Sequence, residues 1–249
     1  MIRAVIFDLD GTLVQTEKLK AVSYARAAVE LLPVGLVESS VIEAFKDVVG
    51  LDRWEAARIL VERFGLEEKA RLLMDGLGVS SPSQVLVELR QRHYRRMIDD
   101  PAVVRRHQWP HNIALLKMAR RMCCQIGLAT MSYRPEVERI LGILHITRIF
   151  DAVASREDVD RGKPDPAIYR LVAERLGVAA RDCLVIEDSP NGVRSALAAG
   201  MRCIAVSTPF TREGLHRGER VLNGRWIVDD PGELMDVVGR MFTESREQE

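Results

Sequence analysis

Short apolar runs alternate with helical patterns along most of this 249-residue chain, and this alternation limits the fold more than any other feature. Six runs are rich in Val and Ile and too short for helices, so they are predicted to be strands. They are residues 4–7, 125–129, 152–154, 184–186, 203–206 and 226–228. Strands that alternate with helices form right-handed crossovers, so we expect a parallel sheet with helices on both faces.

Helical spacing fills most of the intervals between these runs. Pro135 and Pro166 each open a segment whose apolar residues share one helix face, and Gly177 closes the second segment. Proline in the first turn and glycine just past the last turn are typical helix limits.

Residues 17–98 interrupt the alternation, because they carry helical spacing and no convincing strand. Ser81 is typical of a helix cap, with Pro82 at the first helical position and Gln84 three residues on. The other apolar faces predicted here are Leu19, Val22, Ala25, Val29 and Leu32, and Trp54, Ala57, Leu60, Val61 and Phe64. We predict an α/β core of residues 1–16 and 99–249, with an all-helical domain, 17–98, inserted after the first strand.

The charge balance and the cysteines indicate which partners the protein binds and in which cellular compartment it works. Lysine plus arginine number 36, as do aspartate plus glutamate, whereas proteins that bind duplex nucleic acid or membrane surfaces usually carry a basic excess. No apolar run reaches the roughly 20 residues that span a bilayer, and the first ten residues are typical of a strand, not of a secretory signal. The cysteines, Cys123, Cys124, Cys183 and Cys203, form no C-x-x-C pair and are expected to be reduced. We predict a soluble cytoplasmic protein without a nucleic-acid or membrane partner.

The first predicted strand ends in Asp8-Leu9-Asp10-Gly11-Thr12. Two carboxylates at the end of a parallel strand leave it at the edge of the sheet where α/β proteins bind ligands. Gly11 permits a tight turn that lets the second carboxylate approach the same ligand. An Asp-Gly turn is common by itself, but these four residue types at fixed offsets arise by chance at about 10⁻⁵ per position. A functional site is therefore predicted here.

Three later strand ends or loops carry polar residues in a similar way. Thr130 ends the second predicted strand, Lys163 lies in a Gly-Lys-Pro-Asp loop, and Glu187 and Asp188 close the fourth strand. Each one alone also fits a plain structural explanation: a good strand former, a solvated loop lysine, or an ordinary acidic strand end. Their order and their placement favour one shared site.

Together these segments resemble the four motifs of the haloacid dehalogenase superfamily of phosphotransferases. The resemblance covers essentially the whole chain and implies a Rossmann-like α/β core with a helical cap inserted after the first strand. It also implies that Asp8 is the nucleophile that attacks phosphorus and that Asp10 is the general acid and base.

The resemblance further implies a Mg²⁺ cofactor at the acidic residues. Its protein ligands would be Asp8, the backbone carbonyl of Asp10, and Asp188. Glu187 would act on the ion indirectly, through one of these ligands or through a bound water. Magnesium favours carboxylates, carbonyls and retained waters. A cation is needed because a phosphoryl dianion repels a carboxylate nucleophile.

The same resemblance assigns the phosphate contacts. Lys163 would neutralise Asp8 and one phosphate oxygen, while Thr130 and the segment at Ser132 would hold the other oxygens.

Two residues of the helical insertion bear on the substrate. Gly50-Leu51-Asp52-Arg53 resembles a Gly-x-x-Arg feature of the β-phosphoglucomutase-like branch, in which the arginine contacts an anionic group of the substrate. An exposed arginine in the first turn of a helix explains Arg53 equally well. Lys20 stands where the mutases of that branch carry a histidine, which favours a phosphatase over a mutase.

These observations predict a magnesium-dependent phosphomonoester hydrolase that acts on a small phosphorylated sugar or related metabolite. A phosphosugar mutase is the nearest alternative. A dehalogenase or a phosphonate-cleaving enzyme is disfavoured because Asp10 is present. A phosphorylation-switch module or a phosphoester-binding protein without activity is the alternative outside enzymes, and a switch module would hold its phosphate instead of releasing it.

Overall fold

The structure, a computed structural model, describes residues 1–32, 34–49, 51–122, 124–217 and 222–247. The chain divides into two compact units. Unit 1 comprises Met1–Gln15 and Val104–Glu249, and unit 2 comprises Thr16–Val103.

Unit 1 contains a parallel sheet whose strand order is β3-β2-β1-β4-β5-β6. The strands are β1 (Ala4–Phe7), β2 (Gln125–Ala129), β3 (Ala152–Ala154), β4 (Cys183–Glu187), β5 (Arg202–Val206) and β6 (Ile227–Val228). Every residue of β1 and β4 is buried, because helices cover both faces of a parallel sheet. The predicted parallel α/β fold is therefore confirmed.

The last strand is shorter than its apolar run suggested. Trp226 was predicted to be in the strand, but it belongs to a 3₁₀ turn, Gly224–Trp226. The Asn223 side chain accepts from Arg225 N and the Asn223 carbonyl accepts from Trp226 N. These local bonds close a turn before the strand begins.

The helices alternate with these strands in unit 1 and follow one another in unit 2. Their bounds are α1 Thr16–Leu31, α2 Glu38–Phe45, α3 Arg53–Phe64, α4 Glu67–Arg71, α5 Met74–Leu77, α6 Pro82–Ile98, α7 Pro101–Arg106, α8 Pro110–Arg121, α9 Arg134–Ile143, α10 Ala167–Leu176, α11 Pro190–Ala198, α12 Arg212–His216 and α13 Leu234–Glu247. Gly177 ends α10 with a φ of 64°, as its position predicted. None of the helices in the described ranges is long and apolar enough to cross a membrane.

Unit 2 contains only helices and loops among its described residues. The predicted cap of α6 is present: Ser81 Oγ accepts from Gln84 N at 3.3 Å, and Gln84 Oε1 accepts from Ser81 N at 3.1 Å. Gly50, the first residue of the Gly-x-x-Arg feature, lies outside the described residues.

The predicted apolar faces of α1 and α3 are partly wrong. In α1 the buried side chains include Ala21, Tyr24 and Ala28, whereas Val22 is only half-buried. Helix α1 packs against both α2 and α6, and its alanines allow close approach on two sides. A one-face pattern therefore described it poorly. In α3 Trp54 is 45% exposed, because it lies in the first turn, before the buried face begins.

Three cysteines, Cys124, Cys183 and Cys203, are buried free thiols. Cys123 lies outside the described residues.

Candidate active site

The first carboxylate pair stands where β1 ends. Asp8 follows β1 directly, and its N–H donates to the Ile186 carbonyl of β4 at 3.0 Å. After Asp10 the chain reverses at Gly11, whose φ of 83° lies in the left-handed region that glycine adopts readily. A bond of 2.7 Å from Gly11 N to Val14 O closes the turn. The turn keeps Asp10 at the edge of the sheet where Asp8 emerges.

Lys163 connects the end of β1 to the end of β4. Its ammonium donates to Asp8 Oδ1 and to Glu187 Oε1, both at 2.7 Å, and to the Ala129 carbonyl at 3.0 Å. The side chain is 6% exposed, and Nζ lies 4.8 Å from the centre of the Tyr169 ring. Burial alone lowers the pKa of Lys163, but Asp8 and Glu187 outweigh it and raise that pKa. The ammonium is therefore charged at neutral pH.

Both oxygens of Glu187 already have donors. Oε1 accepts from Lys163 and from the Tyr169 hydroxyl, the latter at 2.9 Å. Oε2 accepts from Asp188 N at 2.8 Å, from Ser189 N at 2.9 Å and from Ser189 Oγ at 3.1 Å. Burial alone raises the pKa of Glu187, but Lys163 and the backbone N–H groups hold it below its ordinary value. Glu187 is thus an ionised carboxylate whose acceptor capacity is filled by the protein.

Tyr169 and Gly192 belong to this arrangement but were not singled out from the sequence. Gly192 lies in the first turn of α11, where an added Cβ would stand 1.7 Å from Glu187 Oε1. Only glycine leaves room there for the Glu187 carboxylate. A glycine four residues after an acidic strand end was the available signal, whereas Tyr169 gave none because it resembles an ordinary core aromatic residue.

Asp10 meets the two hydroxyl groups that follow β2. Ser132 Oγ donates to Asp10 Oδ2 at 2.5 Å, and Thr130 Oγ1 donates to the same oxygen at 3.4 Å. Ser132 N in turn donates to Thr130 Oγ1 at 3.1 Å. The side chains predicted to share a site therefore lie together, with both hydroxyls oriented on Asp10.

Burial makes the charged form of the Asp8 carboxyl group unfavourable. Burial raises its pKa to about 7; Lys163 opposes this rise, while Glu187 and Asp10 add to it. Oxygens of Asp8, Glu187 and Asp188 lie within 4.8 Å of one another. Because Glu187 is filled by donors, Asp8 and Asp188 are the carboxylates suited to a metal ion. Such a donor set fits a hard divalent cation, which would offset the charge that Lys163 alone does not balance.

Arg53 belongs to unit 2, where it begins α3. Asp52 caps this helix by accepting from Trp54 N at 2.9 Å, and the Arg53 carbonyl accepts from the Tyr24 hydroxyl at 3.3 Å. The predicted contact of the Arg53 guanidinium with substrate stays a prediction.

Comparison with known proteins agrees with this geometry. Residues 2–200 match the family model of the haloacid dehalogenase-like hydrolases. The chain is 31% identical to protein CbbY of Cereibacter sphaeroides, with 98% of both chains covered. It is 30% identical to phosphoglycolate phosphatase of Escherichia coli, with 99% of this chain and 96% of that protein covered. The crystal structure of β-phosphoglucomutase from Clostridium difficile superposes with a TM-score of 0.70 at 23% identity and covers 98% of each chain, which is a likeness of fold.

The fold and the acidic edge of its sheet are those of a hydrolase built on a parallel α/β core. The chain belongs to the haloacid dehalogenase-like hydrolase family. The predicted family and the predicted class of enzyme, a phosphatase of this family, are confirmed.

Proposed function

We propose that this protein is a magnesium-dependent phosphomonoester hydrolase that works through a phospho-aspartate on Asp8. One observation carries the proposal. The buried carboxylate of Asp8 is held 2.7 Å from the ammonium of Lys163, within 4.8 Å of an oxygen of Asp188. A carboxylate so placed has a cation beside it and a second carboxylate with which to share a metal ion.

The residues that would hold Mg²⁺ are Asp8, Asp188 and, through its backbone carbonyl, Asp10. When bound, the ion offsets the charge of the phosphate and lets it approach a carboxylate. Glu187 acts differently in this proposal. It orients Lys163, because its oxygens are occupied by Lys163, Tyr169 and the start of α11.

The reaction runs in two steps on the chain's own residues. An oxygen of Asp8 forms a bond to phosphorus while the ester P–O bond breaks, and the leaving oxygen takes its proton from Asp10. A water molecule then attacks the phosphorus of phospho-Asp8 and gives a proton to Asp10, and the bond to Asp8 breaks to release phosphate. Lys163 stabilises the charge on the transferred group throughout.

Thr130 and Ser132 have two tasks in this scheme. Their hydroxyls orient the Asp10 carboxyl, as the 2.5 Å contact of Ser132 suggests. With substrate present we expect Thr130 and the backbone near Ser132 to donate to phosphate oxygens, because they lie beside the carboxylate that must reach the leaving group.

We assign unit 2 the role of a cap that selects the substrate, with Arg53 as the contact for a remote anionic or hydroxyl group. The substrate class we propose is a small phosphorylated sugar or related metabolite. The similarity to phosphoglycolate phosphatase supports a small phosphorylated compound. A panel of phosphomonoesters incubated with Mg²⁺, reading free phosphate, tests this. Hydrolysis of small sugar and acid phosphates is expected, and turnover of none of them would contradict the proposal.

A phosphosugar mutase is the second candidate, because the fold superposes on a β-phosphoglucomutase. Lys20 disfavours it. Incubation with β-glucose 1-phosphate and a trace of glucose 1,6-bisphosphate separates the two. A phosphatase releases free phosphate, whereas a mutase accumulates glucose 6-phosphate.

We propose a reducing compartment, the cytoplasm, as the site of action. The three described cysteines are buried as free thiols, and burial raises the pKa of Cys183 to about 12. Buried thiols of this kind are typical of proteins kept in reducing surroundings.

A further inference from the structure

Asn112 is a buried amide at the start of α8 that none of the predicted motifs includes. It is 4% exposed, and its Nδ2 donates to the carbonyl of Thr12 at 2.5 Å across 100 residues of sequence. Its neighbours Ile113 and Leu116 on the same helix are buried apolar side chains. A buried amide costs free energy unless it is hydrogen-bonded, and a leucine would suit this surface without that cost. The bond to the Thr12 carbonyl therefore offsets the cost of burying the Asn112 amide.

The same stretch of chain forms two further hydrogen bonds with the loop that follows β1. Trp109 N donates to the Leu13 carbonyl at 2.9 Å, and Gln15 N donates to the His107 carbonyl at 2.7 Å. Residues 107–112 thus clamp residues 12–15 by main chain and by one side chain. The main-chain bonds survive most substitutions, so Asn112 is the point where a mutation can loosen the clamp.

The loop that Asn112 holds is the loop that carries Asp10. Thr12 directly follows Gly11, whose backbone makes the left-handed turn, and Asp10 forms an isolated bridge with Val14 at the far side of that turn. A shift of the Thr12 peptide changes the direction of the turn and, with it, the angle at which Asp10 leaves it. Asp10 depends on that angle, because its carboxyl must meet both Ser132 and a leaving group.

We propose that Asn112 is a positioning residue for the proton carrier Asp10. The inference rests on the proposed function, in which Asp10 protonates the leaving group. Losing the Asn112 donor would misplace Asp10 while leaving Asp8 and Lys163 in their contacts with β4 and β2.

Two variants and two substrates test this. Asn112→Leu removes the amide at similar volume, and Asn112→Asp keeps the shape but replaces the donor by an acceptor. Benzyl phosphate and p-nitrophenyl phosphate are similar in size, but only the first has a leaving group that needs a proton. Hydrolysis of phospho-Asp8 needs Asp10 with either substrate, so the substrates are compared by kcat/KM, which reports only the transfer of phosphate to Asp8. We expect kcat/KM for benzyl phosphate to fall about 10- to 100-fold, and kcat/KM for p-nitrophenyl phosphate to fall less than about threefold.

The control is Ser245→Ala in α13, which removes another buried hydrogen bond, from Ser245 Oγ to the Phe242 carbonyl at 2.8 Å. Activity is expressed per folded protein, measured by circular dichroism. The ratio of the two kcat/KM values should stay at the wild-type value in this control. Hydrogen exchange of a peptide covering residues 9–15 should accelerate in the Asn112 variants and not in Ser245→Ala.

If both Asn112 variants lose kcat/KM equally on the two substrates, so that the ratio of these values stays at that of the wild type, the inference is overturned. Asp10→Asn is measured in parallel to keep the two proposals apart. If the kcat/KM values of Asp10→Asn show no shift towards the aryl substrate relative to wild type, the assignment of Asp10 fails. If it does show that preference and the Asn112 variants do not, only the role of Asn112 fails.

Discussion

At the scale of single residues, Lys163 is the centre of the charge balance of the site. Its ammonium touches Asp8 and Glu187 at the same distance, while the Asp188 carboxylate lies beside them. Two neighbouring acidic residues, Glu187 and Asp188, therefore have different surroundings. The carboxylate oxygens of Glu187 already accept hydrogen bonds from protein donors, whereas the Asp188 carboxylate is suited to a metal ion.

This difference predicts opposite kinetic signatures. Glu187→Gln should lower kcat by about 10- to 100-fold, because Lys163 loses its second carboxylate, with little change in the Mg²⁺ concentration that gives half-maximal activity. Asp188→Asn should raise that Mg²⁺ concentration by more than about tenfold. Magnesium titrations of both variants at saturating substrate measure this. A large rise in the Mg²⁺ requirement of Glu187→Gln would show that Glu187 binds the metal.

Substitutions of Asp8 and Asp10 should also have different effects on turnover. Asp8→Asn should reduce turnover to background on every substrate, because no other residue is placed to form the covalent intermediate. Asp10→Asn should lower the turnover of alkyl phosphates by about 10²–10⁴-fold, the usual contribution of a positioned proton carrier. With an aryl phosphate it should accumulate phospho-Asp8, because the second step lacks its base.

Rapid-quench mass measurement on Asp10→Asn should therefore show a burst of protein heavier by one phosphoryl group. If Asp8→Asn is the variant that traps phosphate, the two roles are assigned the wrong way round.

At the scale of elements, the start of α11 supports the site directly, through hydrogen bonds from Ser189 to Glu187. Ser189 caps this helix by accepting from Gly192 N at 3.1 Å, and it also donates to Glu187. The cap and the acidic strand end therefore form one hydrogen-bonded unit, which Gly192 makes possible by having no side chain.

Gly192→Ala should consequently destabilise the fold and the site together. The added methyl group meets the Glu187 carboxylate, and we expect a cost of about 1–3 kcal/mol in the free energy of unfolding, with reduced kcat. Gly142→Ala in α9 is the matched control, since nothing lies within 4 Å of its added Cβ. It should stabilise by about 0.5–1 kcal/mol, as alanine does within a helix. Urea denaturation of both variants measures the difference, and equal effects would contradict the role of Gly192.

At the scale of the whole molecule, the buried acidic cluster should make activity depend on the size of the bound cation. Hydrolysis of p-nitrophenyl phosphate should require Mg²⁺ and stop in excess chelator. Calcium should inhibit, because its longer and looser coordination misplaces Asp8. Undiminished turnover in chelator, or full activity with calcium, would contradict the proposed metal site.

The proposed role of unit 2 as a substrate-selecting cap is tested by substituting Arg53. Arg53→Ala should raise KM for the best sugar or acid phosphate found in the panel and leave p-nitrophenyl phosphate unaffected, because a small aryl phosphate has no remote group to bind. Arg58→Ala, on the same helix and paired with Glu62 at 3.4 Å, is the control and should change neither. Identical kinetics of wild type and Arg53→Ala on all substrates would favour an exposed structural arginine.

Sequence alone determined the features that depend on local spacing. The alternation of apolar runs and helical patterns predicted the parallel sheet, because periodicity and strand length are local properties. Parallel strands place their carboxyl ends at one edge of the sheet, so the sequence alone predicts that polar residues at strand ends share one site. Asp8, Asp10, Thr130 and Asp188 were predicted at such strand ends, whereas Lys163, which lies in a loop, was predicted from its resemblance to a motif of the family.

Only the tertiary structure decided which partners these side chains choose. Lys163 meets Asp8 across 155 residues and Glu187 across 24, and Asn112 meets Thr12 across 100, distances that no local pattern encodes. The two packed sides of α1, the filled acceptors of Glu187 and the space left by Gly192 likewise depend on neighbours brought in by folding. A hydrogen bond is decided by separations of a few tenths of an ångström, and those arise from packing, not from spacing along the chain.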